Sequence, residues 1–571
     1  MDHNIRYART NEGDPEEQHW EQLYVYLCTG RETTDPTLFV NQAKKVKRDP
    51  DTYNWDEAMA SPFKDKFLEA ADVELRELGI KDTWVEDLIM NANKVIPSQW
   101  VFRIKRTPDG EIKKFKGRIV YRGDLAEADG ETFSPVAAWS TVRSFFVYCL
   151  VRGWIAITID FSNAFVQSPL TSPVWMHLPR GYRSTKGPGY CLRLKKSIYG
   201  LSTAPRLWFN YVTKAFKELG LKQSEHDPCL WYGKDLILVM YVDDCGIGAP
   251  NQEIIDEFVA ALRAKGLELT QEGSFSEFLG IKFEKLADGS YELTQKGLIK
   301  KILTAANMTN CNPASLPASQ DALGSDVDGE PMDEKWNYRA IVGMLLYLAT
   351  NTRIDISLAV SQVARFGANP KKSHAKAVKM ILRYLKKTMD KGIIISPKSW
   401  LELDLYVDAD FCGLFKREDD RDSSSVKSRT GYVITLAGCP VVWKSALQSA
   451  VCQSTLESEY HALSDALKTF LPVKRLIQEL LHKTGDTSLE GATVRATVFE
   501  DNQSCYFLAT NQRITNRTRH FLAKWHWFWE HYNAGEFDIV KCPTTEQRAD
   551  YLTKQLPKEP FESNRLALQG W

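Results

Sequence analysis

Apolar and polar residues alternate with two different periods along this chain. Apolar side chains that recur about every three to four residues, with charged residues between them, predict helices over residues 55–78, 140–151, 338–387 and 456–481. Two-residue alternation and short apolar runs predict strands over residues 99–105, 116–121, 154–159, 236–242, 245–247, 401–407, 431–436, 441–443 and 493–499. Because both kinds of element occur from one end of the chain to the other, we expect a mixed α/β (α+β) fold.

Two stretches lack either period. Residues 1–50 are polar and weakly periodic, and the sequence assigns them no structure. Residues 308–335 contain Asn312-Pro313, Pro317 and Gly324 followed by acidic residues, which is typical of an exposed joint between two folded parts.

Length and composition indicate several folded domains without an overall charge. The chain has 571 residues, of which 43% are hydrophobic and 26% are charged, and this mixture is typical of globular rather than disordered proteins. At about 150 residues per domain the length corresponds to three or four domains. The 73 basic and 73 acidic residues balance, so a polyanion site would have to be built from local basic patches.

The cysteines and the apolar runs point to an intracellular protein. The 11 cysteines include no pair with CxxC spacing, so neither a zinc site nor a disulfide framework is indicated. No apolar run approaches the ~18 residues that a membrane span needs, and the N-terminus lacks the apolar segment of a secretory signal. We expect a soluble chain that does not associate with membranes.

Three acidic residues follow predicted strands in the first half of the chain. Asp160 ends the strand predicted at 154–159, and Asp243-Asp244 joins two apolar strands as the tip of a hairpin. Each acid alone could belong to an ordinary turn, which Asp favours. Adjacent like charges beside a core repel each other, and Mg²⁺ bound through carboxylate oxygens is the usual counter-charge. Two such ions can catalyse phosphoryl transfer.

A second set of acids lies in the final third, in the order strand, helix, strand, helix. Asp408 ends one predicted strand and Asp501 follows another, while Glu457 and Glu459 lie on a helix. Asp550 lies on a late helix. Glu457 and Glu459 are about 200° apart around a helix, so only one of them can face a site that the other acids form.

Longer stretches resemble the Pol polyproteins of copia-type LTR retrotransposons. Residues 241–244 (YVDD) resemble the YxDD box of reverse transcriptases, and Asp160 with Ala164-Phe165 resembles their first palm motif. Further stretches of the same resemblance are residues 100–105, 131–136, 196–208, 278–281, 338–348, 406–410, 428–433, 443–445, 501–504, 517–520 and 549–554. The YxDD box alone is a weak signal, but the ordered series over residues 55–555 is specific.

The resemblance implies a right-hand polymerase with fingers, palm and thumb, followed by a connecting segment and an RNase H-like domain. The boundaries expected are an unassigned segment at 1–54, fingers and palm at 55–300, thumb and connection at 301–398, and the RNase H-like domain at 399–571. The implied activity is RNA-directed DNA synthesis together with hydrolysis of the RNA strand of RNA–DNA hybrids. A catalytically decayed nucleic-acid-binding remnant of such an element is the alternative.

The resemblance also assigns metal ligands to both sets of acids. Each set would hold two Mg²⁺ or Mn²⁺ ions, through Asp160, Asp243, Asp244 in the first and Asp408, Glu459, Asp501, Asp550 in the second. Glu459 is preferred over Glu457 because its register matches the family's pattern. Asp410 and Glu500 are expected to be solvated neighbours.

Other motif positions are implied to bind substrate. The implied nucleotide-binding residues are Lys105, Arg118, Phe165, Tyr199 and Gly200, and the implied primer-gripping residues are Phe278, Leu279 and Gly280. Phe165 would exclude a 2′-OH, the group that distinguishes ribonucleotides, or would simply pack in the core. Lys105 and Arg118 lie in a basic hairpin that would otherwise be a solvated surface.

Two further groups have alternative interpretations. Basic residues that could follow a hybrid's backbone or form a solvated helix face are Lys371, Lys372, Lys376, Lys379, Arg383, Lys386, Lys387 and Lys391. Aromatic residues that could stack on bases, but at helical spacing more often form core, are Trp525, Trp527, Phe528 and Trp529.

The partners implied are an RNA template, a DNA primer, the RNA–DNA hybrid, deoxynucleoside triphosphates and other products of the polyprotein. The resemblance implies virus-like particles in the cytoplasm, with the nucleus as the alternative compartment. The sequence departs from the family's pattern at Ser202-Thr203, at Ile354 and in a short segment after Arg122.

Overall fold

The computed structural model describes residues 51–106, 112–127, 130–321, 323–415, 422–484, 491–512, 515–516 and 518–571. The unassigned segment up to residue 50 and Arg517, which belongs to the resembling stretch 517–520, lie outside the described residues.

Helices and strands alternate throughout the described chain, and the mixed α/β class is confirmed. The helices are Trp55–Ala60, Lys64–Ile80, Trp139–Arg152, Ala164–Gln167, Ala204–Glu218, Gln252–Ala264, Lys296–Ala305, Tyr338–Asn351, Ser357–Ala364, Lys372–Lys387, Thr455–Lys483, Gln503–Asn511, Arg519–Trp525, Trp529–Asn533, Asp550–Thr553 and Lys558–Gln569.

The strands form five sheets. The first sheet has three strands in the spatial order Thr52–Tyr53, Ser98–Arg106, Ile112–Tyr121. The second has four strands in the order Trp84–Leu88, Tyr190–Lys196, Pro169–Met176, Val95–Ile96. The third has four strands in the order Glu277–Phe278, Ile281–Lys285, Tyr291–Thr294, Ile393–Ile395. The other two sheets carry the two sets of acids that the sequence singles out.

A six-stranded sheet carries the first set of acids. Its strands lie in the order Leu269–Glu272, Ile155–Phe161, Asp244–Ala249, Leu236–Tyr241, Leu230–Gly233, Lys222–Gln223. The central strands are almost entirely buried because helix Trp139–Arg152 supplies Phe145, Phe146 and Cys149 to the same core. Burial on both faces explains why these strands read as continuous apolar runs rather than as alternating ones.

A five-stranded mixed sheet carries the second set. Its order is Cys439–Leu447, Arg429–Leu436, Leu403–Asp410, Ala496–Glu500, Asp538–Lys541, and the last two strands run parallel to the central one. The helix Thr455–Lys483 packs on the central strand and continues through Pro472. The carboxyl ends of the central strand and of Ala496–Glu500 therefore point to the same edge.

Two predicted helical stretches are divided in the structure. The stretch 55–78 is two helices, because Ser61 adopts an extended conformation and is followed by Pro62, which cannot donate a backbone hydrogen bond. The block 338–387 consists of three α-helices and one turn of 3₁₀ helix. The predicted joint at 308–335 contains neither helix nor strand in its described residues apart from an isolated bridge between Pro331 and Lys371.

Over the parts of the chain that the structure describes, no helix combines the length and the apolar character needed to cross a membrane.

Candidate active sites

The first set of acids meets where two neighbouring strands of the six-stranded sheet pair. Asp244 lies directly opposite Asp160, and Tyr241 pairs with Asp244 to close a two-residue turn over Val242 and Asp243. Val242 has φ of +59°, which is rare for a β-branched residue and indicates that the turn is strained.

Two hydrogen bonds to its carbonyl oxygens hold this strained turn in place. The N–H of Phe161 donates to the carbonyl oxygen of Asp243 at 2.9 Å, and the indole N–H of Trp208 donates to the carbonyl oxygen of Val242 at 2.7 Å. Both bonds fix the turn beside Asp160. The structure therefore brings together the three acids that the sequence singled out in this half of the chain.

Burial and repulsion between neighbouring acids raise the pKa values of Asp160 and Asp244. Burial first, and then Asp243 and Asp160, raise the pKa of Asp244 to about 7. Burial and Asp243 also raise the pKa of Asp160, against the lowering effect of Lys116 and Lys105. Each raised pKa means that the ionised form is disfavoured here, so a bound cation would stabilise the site.

One further carboxylate at this centre was not predicted. Glu272 lies on the edge strand, where its neighbour Thr270 pairs with Asp160, and the hydroxyl of Thr158 donates to Glu272 at 3.2 Å. Its charge contributes to the raised pKa values of Asp160 and Asp244. The strand is short and polar, so nothing in the local sequence indicates that Glu272 lies near the other acids.

The basic hairpin presents its charges on one face. Arg103 pairs with Lys116, Lys105 with Lys114, and Val101 with Arg118, so these side chains project to the same side of the two strands. Desolvation first, and then Arg118 and Arg103, lower the pKa of Lys105, while Asp160 opposes this shift. The hairpin's basic face therefore lies within electrostatic reach of the first set of acids.

Glu74, a residue with no predicted role, lies behind this basic face. It is buried on helix Lys64–Ile80, and burial raises its pKa to about 7 although Lys116 and Arg118 lower it. The backbone N–H of Ile119 also donates to Glu74. Because Glu74 occupies an apolar helix face, only the three-dimensional structure reveals its proximity to the hairpin.

The predicted nucleotide-binding residues form a stacked group beside the acids. The guanidinium of Arg118 lies 4.7 Å from the ring centroid of Tyr199, and the rings of Phe165 and Tyr199 meet edge to face at 5.1 Å. Arg118 Nε is buried without a hydrogen-bond partner. A buried, unsatisfied donor on a cation is suited to an anionic ligand.

Gly200 occupies a position where any side chain would collide with the backbone. It has φ of +86°, and a Cβ at Gly200 would lie 2.1 Å from the carbonyl oxygen of Tyr121. The N–H of Tyr121 donates to the carbonyl oxygen of Tyr199 at 2.8 Å. The loop with Tyr199 is thus joined to the end of the basic hairpin by close backbone contact.

The predicted primer-gripping residues form a two-residue turn. Leu279 and Gly280 both have positive φ, +50° and +73°, which is the conformation of a tight hairpin turn. The hydroxyl of Tyr347 donates to the carbonyl oxygen of Leu279 at 2.7 Å. Phe278 is buried and packs on Phe275, so it supports the turn from the core.

The second set of acids gathers at one edge of the five-stranded sheet. Asp408 is buried near the end of the central strand, Asp501 follows Ala496–Glu500, and Asp550 begins the short helix Asp550–Thr553. Burial first, and then Glu500, Asp408 and Asp501, raise the pKa of Glu459 well above its usual value. The four acids predicted in this part of the chain therefore lie within electrostatic reach of one another.

The structure separates the roles of the two helix glutamates. Glu457 accepts the backbone N–H of Gln453 at 2.7 Å and lies 3.8 Å from His520, so it belongs to the start of the helix. Glu459 has no such capping contact, and its buried Oε2 has no hydrogen-bond partner. Glu459, and not Glu457, lies among the other acids.

The prediction that Glu500 is a solvated neighbour was wrong. Glu500 is fully buried, its Oε2 has no hydrogen-bond partner, and burial raises its pKa well above the usual value. It is the last residue of a strand whose alternate side chains point into the core, and a polar residue there could not be distinguished from a surface one by sequence. Asp410 is half-buried, and burial raises its pKa.

Lys554 is the cation of the second centre. Its Nζ lies 3.2 Å from Asp408 Oδ1 and 3.1 Å from Asp550 Oδ1, and the hydroxyl of Thr553 donates to Asp408 Oδ2. Burial and Asp408 raise the pKa of Asp550 to about 6, although Lys554 lowers it. Lys554 lies in the resembling stretch 549–554, but the sequence predicts no role for it.

The donor groups at both centres fit divalent metal ions, which prefer carboxylate oxygens. The buried Oε2 atoms of Glu459 and Glu500 have no partner, and an ion would supply one. Within the described part of the chain, however, no three His, Cys, Asp or Glu side chains stand at metal-ligand spacing.

The basic residues of helix Lys372–Lys387 are partly neutralised by the predicted joint. Lys372 pairs with Glu330 and Asp333, and Lys379 pairs with Glu334. This arrangement weakens the expectation of a continuous basic track. Trp525 and Phe528 are buried, in agreement with the core interpretation of the aromatic residues.

Comparisons with known proteins agree with the resemblance seen in the sequence. Residues 82–320 match the family model described as reverse transcriptase (RNA-dependent DNA polymerase). The chain is 30% identical over 532 residues to the retrovirus-related Pol polyprotein from transposon TNT 1-94 of Nicotiana tabacum, covering 90% of this chain and 38% of that protein. It is 29% identical over 476 residues to the corresponding polyprotein from transposon RE1 of Arabidopsis thaliana, covering 82% of this chain and 31% of that protein.

The chain spans about a third of the length of these relatives. Among solved structures, it is similar to a foamy viral protease-reverse transcriptase in complex with an RNA/DNA hybrid, with a TM-score of 0.45 and 12% sequence identity. That similarity covers 86% of this chain and 55% of the viral one.

Proposed function

Since the chain carries a reverse transcriptase domain over residues 82–320 and its relatives are Pol polyproteins of copia-type transposons, we propose that it is the RNA-directed DNA polymerase of such an element. It would extend a DNA primer on an RNA or DNA template, using deoxynucleoside triphosphates. The observation that carries this proposal is the pairing of Asp160 with Asp244 beside the turn of Asp243, within reach of the basic hairpin face.

The residues of the first centre would have two different roles, metal binding and contact with the triphosphate. Asp160 and Asp243 would hold two Mg²⁺ or Mn²⁺ ions, with Asp244 completing the site. When bound, the ions supply Lewis-acid stabilisation of the attacking and leaving oxygens. Lys105 and Arg118 would contact the triphosphate, because a basic face with an unsatisfied Arg118 donor suits phosphate oxygens.

The aromatic and turn residues would position the substrates. Phe165 and Tyr199 form the wall next to Arg118, and we propose that Phe165 excludes the 2′-OH of a ribonucleotide. The turn of Leu279 and Gly280 would hold the primer end, supported by Tyr347.

We further propose that the second centre hydrolyses the RNA strand of the RNA–DNA hybrid. Asp408, Glu459, Asp501 and Asp550 would hold its divalent ions, and the buried carboxylates supply the concentration of negative charge that such ions require. The partners would be the hybrid and other products of the polyprotein, and the compartment a cytoplasmic particle or the nucleus.

A primer-extension assay tests the polymerase proposal. A labelled DNA primer on a homopolymer RNA template is incubated with the chain, deoxynucleotide and Mg²⁺ or Mn²⁺. Incorporation that is lost in Asp243→Asn supports the proposal. A folded wild-type chain that incorporates nothing contradicts it and favours a decayed nucleic-acid-binding remnant, which would still retain the primer–template in a binding assay.

A further inference from the structure

The second centre has two unlike halves. Toward Glu459, a buried carboxylate oxygen lacks any partner. Toward Asp550, the Nζ of Lys554 contacts one oxygen of Asp408 at 3.2 Å and one of Asp550 at 3.1 Å, and Thr553 donates to the other oxygen of Asp408. One half is open to a cation and the other already contains one.

The exposures of the three side chains fit a cation that can leave. The side chain of Lys554 is 42% exposed, whereas those of Asp408 and Asp550 are 2% and 15% exposed. The two carboxylates are fixed by a strand and by a helix start, but the lysine has a long flexible stem that reaches solvent. Lys554 can therefore withdraw without disturbing either acid.

A divalent ion shared by Asp408 and Asp550 would need the oxygens that Lys554 contacts. Both cations are attracted by the same pair of charges, and two cations held between these acids would repel each other. Binding of the ion would therefore oppose the contact by Lys554.

We propose that Lys554 is a built-in counter-ion, which holds Asp408 and Asp550 together in the metal-free chain and must be displaced when a divalent ion binds between them. The ion on this side would consequently bind more weakly than the ion near Glu459. This inference rests on the proposed hydrolytic function of the second centre. Lys554 is a positioning residue in this account, because it acts through the two acids.

Calorimetric titration of Mn²⁺ into the full chain tests this inference, with Asp243→Asn present throughout to weaken binding at the first centre. In Lys554→Met, we expect the weaker binding event to tighten on the order of tenfold, because the competing charge is gone. Lys554→Arg should bind Mn²⁺ as the parent does. Lys444→Gln is the matched control, since Lys444 is half-exposed and pairs with Asp465 at 2.9 Å, outside the acid group.

Thermal unfolding gives a second readout that does not depend on activity. In EDTA, Lys554→Met should unfold at a lower temperature than the parent. At saturating Mn²⁺, the two unfolding temperatures should become equal. If Lys554→Met is unfolded in EDTA, refolding on addition of Mn²⁺ is the expected result, and failure to refold overturns the inference.

The outcomes separate this inference from the proposed function. Unchanged or weaker Mn²⁺ binding in Lys554→Met, while the chain with native Lys554 binds Mn²⁺ and cleaves a hybrid, overturns the role of Lys554 alone. Absence of Mn²⁺ binding in both chains overturns the hydrolytic function and this inference with it. Binding in Lys554→Met but not in the parent supports the inference in its strongest form.

Discussion

Burial and neighbouring acids oppose the ionised form of several carboxylates in the two centres and raise their pKa values, namely those of Asp160, Asp244, Glu459 and Asp550. The effect is clear at Asp244, whose pKa is raised to about 7. An acid whose pKa is higher in the folded chain than in the unfolded chain favours folding only while it is protonated. The metal-free chain should therefore be sensitive to pH in the range where Asp244 loses its proton.

Replacement of Asp244 by Asn should remove part of that sensitivity. Between pH of about 4, where an unfolded Asp ionises, and about 7, the folded chain retains a proton that the unfolded chain has released. The free energy of unfolding in EDTA should fall as pH rises through this window, and fall less in Asp244→Asn. Urea unfolding at several pH values measures this, with the exposed Asp538→Asn as control; equal slopes in all three chains would contradict the account.

The two helix glutamates allow a matched comparison of function and stability. Glu459→Gln should abolish RNA hydrolysis because it removes the charge of a proposed metal ligand, whereas Glu457→Gln should retain hydrolysis. Glu457→Gln should instead cost about 1 kcal/mol of stability, since it weakens the contacts at the helix start. Hydrolysis of a labelled hybrid and urea unfolding measure the two effects, and loss of hydrolysis in Glu457→Gln alone would reverse the assignment.

The sequence predicted functional residues that lie in a recognisable motif. It did not predict residues that reach the centres only through the folding of distant segments. Asp243 and Asp408 follow apolar strands, so their position at a strand end could be inferred. Glu272 and Glu74 approach the first centre through pairing and packing between distant segments. Nothing in their local sequence distinguishes them from surface acids, which is why sequence reasoning could not find them.

At the scale of elements, short apolar runs predicted the buried strands, whereas strands with few apolar residues, such as Leu269–Glu272, were missed. The predicted hairpin strands at 236–242 and 245–247 appear as Leu236–Tyr241 and Asp244–Ala249. The hairpin could be predicted because its strands are buried on both faces. The break near Pro62 was missed because the apolar spacing continues on both sides of it.

The close contact between two elements at Gly200 leads to a prediction with an internal control. Gly200 and Gly220 have nearly equal φ angles of +86° and +85°, but a Cβ would collide with Tyr121 only at Gly200. Gly220→Ala should cost roughly 1 kcal/mol, the strain of a left-handed residue. Gly200→Ala should cost more and also raise the KM for deoxynucleotide, because the loop with Tyr199 must move.

Urea unfolding and steady-state extension kinetics distinguish these effects. If Gly200→Ala and Gly220→Ala lose equal stability and keep the same KM, the contact between Gly200 and the basic hairpin does not shape the nucleotide pocket.

At the scale of the whole molecule, the six-stranded and five-stranded sheets are joined by buried polar contacts. Arg143, on a helix of the first core, donates to the carbonyl oxygens of Val441 at 2.7 Å and Thr350 at 3.0 Å, and its guanidinium lies 4.3 Å from the ring centroid of Trp443. Glu479 accepts the hydroxyl of Tyr232 at 3.2 Å across the same junction. These contacts connect segments hundreds of residues apart, so the sequence could not predict them.

Removal of Arg143 should loosen this junction. Arg143→Met would leave buried carbonyl oxygens without a donor and should cost roughly 3 kcal/mol. We also expect unfolding to separate into two transitions, followed by calorimetry, because the two cores lose their common link. The exposed Arg263→Met serves as control; a single transition with unchanged stability in Arg143→Met would show that the junction does not couple the cores.

We propose that one chain carries two separate metal-dependent centres, one for DNA synthesis and one for RNA hydrolysis. The most direct test uses one substrate, a DNA primer on an RNA template with both strands labelled, and three chains: wild type, Asp243→Asn and Asp408→Asn. We expect the wild type to extend the primer and cut the RNA, Asp243→Asn only to cut, and Asp408→Asn only to extend. Loss of both activities in either folded variant, or neither activity in the folded wild type, would contradict it.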